Sequence, residues 1–67
     1  MRTEFLVGMK LEGKEVINEQ GSYLGSIVGV NGRENTIIIK NTFEKKFSLP
    51  LQVIVNIGDN VVVREER

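Results

Sequence analysis

The sequence predicts an all-β fold, a small closed antiparallel β-barrel of about six strands, and three observations carry that expectation. Nine Val and seven Ile stand against five Leu and no Ala. β-Branched side chains fit a pleated surface and lose rotamer freedom in a helix, where Ala is favoured. Seven glycines are spread along the chain, at places suited to turns or bulges. Between them lie strand-length apolar segments, and closing such short strands into a barrel removes edges that a small open sheet leaves exposed.

The elements follow in order. Residues 5–9 form a short apolar opening in which Gly8 counts against a helix. A first strand is expected at residues 15–17, and residues 18–21 form a turn in which Gly21 supplies the positive φ such turns often need. Residues 23–30 read as a strand interrupted by Gly25 and Gly29, glycines that permit a bulge, a bend or a close backbone approach. Asn31-Gly32 signals a hairpin whose turn extends through Asn35. Residues 36–40 are the clearest strand. After a turn at Asn41-Thr42, residues 43–49 return, with Phe43, Lys45, Phe47 and Leu49 on one face by period-two alternation. Pro50 ends that strand and opens a single helical turn, followed by a short strand ending at Ile57. Gly58-Asp59-Asn60 reverses the chain into Val61–Val63, and residues 64–67 are a solvated tail. The chain reads as one domain over residues 1–67, with its core at about 11–63.

Composition narrows the function. Basic and acidic residues balance, nine of each, which argues against the strongly basic surface of phosphate-dominated binding. There is no Cys, so disulfides and thiolate metal sites are absent, and no His, which removes the commonest general base and imidazole ligand. No apolar run approaches the roughly 20 residues of a membrane helix. Residues 1–10 lack the apolar region of a secretory signal. A cytoplasmic chain is expected, reaching a membrane or division site through a partner and without direct membrane insertion.

The order of features along the chain resembles a known family. Leu11-Glu12-Gly13-Lys14-Glu15-Val16-Ile17, then Gly21 and Tyr23-Leu24-Gly25, is similar to the opening of PRC-barrel domains. Leu49-Pro50-Leu51, then Ile54-Val55-Asn56-Ile57-Gly58-Asp59 and a Val-rich strand, resembles their second half. PRC-barrels occur in the photosynthetic reaction-centre H subunit, in the ribosome-maturation protein RimM, and as small stand-alone archaeal proteins. Some of the last act in cell division with the membrane-anchored septum protein SepF. The resemblance implies a non-catalytic docking module, homodimeric, in which a SepF-type septum protein is the expected partner. The alternative it allows is a ribosome- or RNA-associated barrel of the RimM kind. Two departures from the family pattern stand out: Gly29 and Asn31 stand where many relatives carry acidic residues, and Val53 where a polar residue is usual.

The other candidate sites have simpler readings. Glu12, Glu15 and Glu19 suggest a metal or acid–base cluster, but carboxylates spread over a strand and turn read better as surface charges. Residues 21–25 hold two glycines yet lack the lysine and following helix of a phosphate loop. Lys40, Lys45 and Lys46 with Phe43 and Phe47 suggest nucleic-acid stacking, which is disfavoured because alternation puts both rings on the core face. No catalytic, cofactor or metal residue is expected. Ile38 and Val62 fall on the face opposite their neighbours, and Val53 is read as outward too. These three are the expected protein interface.

Overall fold

The computed structural model describes residues 11–65. Six strands form one sheet: β1 Glu15–Asn18, β2 Tyr23–Asn31, β3 Thr36–Lys40, β4 Lys46–Pro50, β5 Ile54–Ile57 and β6 Asn60–Val63. Their order across the sheet is β4-β3-β2-β1-β6-β5. The only helical element among the described residues is a 3-10 turn, Leu51–Val53, between β4 and β5. The expected apolar opening at residues 5–9 lies outside the described residues.

Two features of the expected barrel are corrected. Among the described residues the sheet is not closed: β4 and β5 are its edges, and no ladder joins them. Nor is it wholly antiparallel, because β1 and β6 run parallel, with Val16 opposite Val61 and Ile17 opposite Val62. Both follow from the 3-10 turn. Pro50 fixes φ at −68° and has no N–H, so β4 stops there. Leu51 and Val53 then bury their side chains, to 6% and 4% exposure, and carry the chain past the core from one edge to the other. This turn does not reverse the chain. β4 and β5 therefore run in the same direction, and the hairpin into β6 brings the last strand beside β1 pointing the same way.

Curvature comes from β2, which serves two neighbours. Its first half pairs with β1 and its second with β3, with register shifts in both ladders. At Gly25 the backbone has φ +151°, and a Cβ built there would lie 2.5 Å from the Lys40 carbonyl oxygen and 2.7 Å from Ile39 Cγ2. Only glycine permits that approach. The concave face holds the core: Leu11, Val16, Ile27, Ile37, Ile39, Val61 and Val63 are all at most 1% exposed. Leu11 is held there because Gly13 N–H donates to Ile27 O at 2.8 Å, while Ile27 N–H donates to Lys14 O at 2.9 Å.

Asn18 closes the β1–β2 turn from within. Its Oδ1 accepts from the N–H of Gln20 (2.9 Å) and of Ser22 (2.8 Å), while Nδ2 donates to Glu65 Oε1 at 2.6 Å. It is the one buried polar residue among those described, at 6% exposure. Gly21, at φ +88°, completes this turn as the sequence suggests.

Candidate interaction surface

Ile38 and Val62 lie on the convex face, as alternation requires: each is half-buried between fully buried neighbours. They do not meet. Ile38 on β3 and Val62 on β6 are separated by β2 and β1, roughly 14 Å across the sheet at ~4.8 Å per strand. They also stand on different rungs, since Ile38 faces Gly29 while Val62 faces Ile17. The Ile38 side chain covers a bare glycine, with Cδ1 3.6 Å from where a Gly29 Cβ would be. Val53 is corrected outright: the 3-10 turn points it into the core at 4% exposure, leaving little side chain to offer a partner.

Val62 has other company. Across the sheet, Tyr23 of β2 opposes Ile17 of β1, and Ile17 opposes Val62 of β6. Tyr23 is 47% exposed, and its hydroxyl shares a hydrogen bond of 3.0 Å with Ser26 Oγ. These three side chains make one apolar strip over three adjacent strands, ended by the exposed Asn56 opposite Val62 on β5. A polar rung, Glu15–Ser26–Lys40–Lys46, runs across the same face beside it. Ile17 and Tyr23 were not among the expected interface residues: Val16-Ile17-Asn18 is apolar, apolar, polar, and the inward place taken by Asn18 leaves Ile17 on the outer face with no signal in the pattern.

Two further exposed apolar residues mark bulges. Val28 (42% exposed) sits at the register shift between Ile27 and Gly29, and Val55 (46%) at the one between Ile54 and Asn56. In each, one extra residue stands out of the ladder, and the inward set beyond it is shifted by one residue.

The largest departure from alternation is Phe43. It is 83% exposed, at the tip of a five-residue turn that replaces the first half of the expected 43–49 strand. Asn41 builds that turn: its Oδ1 accepts from the N–H of Phe43 at 2.9 Å and of Lys45 at 3.0 Å. Its backbone N–H donates to Lys45 O, and Glu44 adopts φ +63°. Phe47 does face inward, half-buried against the core. It lines a cleft of about 290 Å³ with Leu24, Leu49, Val53, Arg64 and Glu65. The carboxylates of Glu12, Glu15 and Glu19 are exposed, and no three His, Cys, Asp or Glu among the described residues gather as a metal site.

Compared with known families, residues 8–66 match the PRC-barrel domain, nearly the whole chain. No curated protein matches it.

Proposed function

The chain belongs to the PRC-barrel domain family, and from that premise we propose that it is a non-catalytic protein-docking module that pairs with a second copy through the strip Tyr23–Ile17–Val62. The observation that carries this reading is the adjacency of three apolar side chains on the convex face of three neighbouring strands. A 67-residue chain buries a comparatively small share of its surface, so an additional apolar contact stabilises it appreciably. A two-fold interface uses each residue of the strip twice. Relatives among the small archaeal proteins make a membrane-anchored septum protein of the SepF type the first further partner to test.

Val62→Glu places a charge at one end of the strip, beside Ile17, and is expected to turn a dimer into a monomer. Ile38→Glu, on a different rung, should leave the dimer intact. Sedimentation equilibrium at micromolar concentrations reads both, with circular dichroism to confirm that the sheet persists. A wild-type protein that is monomeric throughout that range sinks the dimer, and loss of the dimer on Ile38→Glu but not Val62→Glu assigns the interface elsewhere. Direct titration against purified septum protein tests the second partner separately.

A further inference from the structure

We propose that the β3–β4 turn is a contact for an anionic lipid surface, in which the Phe43 ring enters the headgroup boundary while Lys45 and Lys46 meet lipid phosphates. This inference concerns the hairpin end beyond the polar rung that flanks the apolar strip, and it does not depend on dimerisation.

The turn presents its aromatic ring rather than merely tolerating it. A ring 83% exposed is unfavourable in water, yet the turn beneath it is fixed by four hydrogen bonds made by Asn41 and by Glu44 in the left-handed region. Folding therefore holds Phe43 outward in one geometry, and no rotamer-rich loop must be ordered on binding.

Charge surrounds the ring on one side. Lys40 and Lys46 oppose each other across the β3–β4 ladder, an arrangement of like charges that is destabilising by itself. Glu44 relieves half of it through a 3.5 Å ion pair with Lys40. Lys45 and Lys46 are exposed and have no ion-pair partner among the described residues. The chain as a whole carries no net charge, so this hairpin end is a local excess of positive charge.

Shape chooses among occupants for such a patch. Single-stranded nucleic acid is held by several stacking rings along a groove. Here one ring stands on a convex tip, and the other exposed aromatic among the described residues, Tyr23, lies in the stretch of β2 that pairs with β1 rather than with this hairpin. A protein hot spot lies inside a ring of contacts that exclude water, and a stable interface buries about 800 Å² per partner. The neighbours of Phe43 are the exposed polar Thr42, Glu44 and Lys45. A lipid surface needs neither groove nor surrounding ring. It takes an apolar tip backed by cations, whose long stems bring their ammonium groups to the phosphate level. One ring and two lysines give weak, reversible binding, which becomes stable only alongside a second attachment.

The chain has no Trp, so Phe43→Trp installs a unique fluorescent probe at the tip. The full chain carrying it is mixed with vesicles of phosphatidylcholine alone, or containing roughly a third phosphatidylglycerol, at millimolar lipid, where weak anionic attraction is measurable. The expected result is a blue shift with the anionic vesicles only, abolished by high salt. In co-sedimentation of the otherwise native chain, Phe43→Ser should lower vesicle partitioning about five- to tenfold. Lys45→Ser with Lys46→Ser should lower it tenfold or more, at about fivefold per lysine. Circular dichroism of each variant confirms the sheet. No blue shift with either vesicle overturns the proposal, as does native-like partitioning of Phe43→Ser. So does quenching of the probe by an oligothymidine at concentrations where vesicles leave it unchanged.

Discussion

Gly25→Ala is expected to leave most of the protein unfolded in mild urea. A chain of this length has about 3–10 kcal/mol of stability, at about 0.05–0.15 kcal/mol per residue. A side chain at φ +151° is strained by itself, at about 1–3 kcal/mol. The added Cβ also meets Lys40 backbone at 2.5 Å, and neither backbone can swing aside as a flexible side chain would. The combined loss is about 3–5 kcal/mol once overpacking is included. With a slope of about 1 kcal/mol per molar for a small domain, the urea midpoint falls by about 3 M or more. Gly29→Ala is the control. The nearest atom to its Cβ is Ile38 Cδ1 at 3.6 Å, an ordinary contact, so it should cost less than about 1 kcal/mol. If both variants unfold alike, the close approach of β2 to Lys40 is not what bends the sheet.

Asn18→Ala should have the next largest effect, about 2–4 kcal/mol. It strips two backbone N–H groups, those of Gln20 and Ser22, of their acceptor and removes the tie to Glu65. Asn18→Asp separates the two roles. The carboxylate still accepts from both N–H groups but now faces the Glu65 carboxylate where an amide donated. Its cost should be smaller, about 1–2 kcal/mol, and adding Glu65→Gln should return most of it. Urea titration of these variants, of Glu65→Gln alone and of the wild type completes the cycle. Equal losses for Ala and Asp, with no rescue, would assign the stability to something other than these bonds.

These two residues show how differently the chain could be read. Gly25 was legible as a strand glycine needing a bend or close approach, because nothing else explains glycine between Leu24 and Ser26. Asn18 was legible only as a turn residue. Its burial depends on Glu65, 47 positions away, which no local pattern reveals. Four of the six strands were legible within about two residues of each end, and β5 only as a short strand after the turn at Pro50. The exception, β4, begins three residues later than alternation suggests. There, Lys45 between two phenylalanines on a supposed core face was the misfit that marked where the pattern truly starts. Asn side chains that fold back onto their own turn explain the rest. Val28 and Val55 were not legible as exposed, since a bulge shifts the inward set by one residue without leaving a signature in a run of apolar residues. For the candidate interface, Ile38 and Val62 were both on the expected face but two strands apart, and Val53 went inward with the 3-10 turn. The closed antiparallel barrel failed at that same turn, which looked from the sequence like one more reversal.

The parallel pairing of β1 with β6 sets the order in which the sheet can assemble. The hairpins β2–β3, β3–β4 and β5–β6 each join neighbours in sequence and close short loops. Val16 meets Val61 across 45 positions, and closing a loop of that size costs about 3 kcal/mol by the logarithmic length term alone. Yet β6 is an interior strand, and β5 hangs from it rather than from β4. Until the long loop closes, Val16, Val61 and Val63 have only part of their eventual surroundings, and neither half of the sheet has a complete core. The entropy of that one long-range contact therefore has to be met before most of the burial is gained. Such a chain should fold in a single concerted step at the slower end of the range for its size, with β1 and β6 structured together at the barrier or not at all.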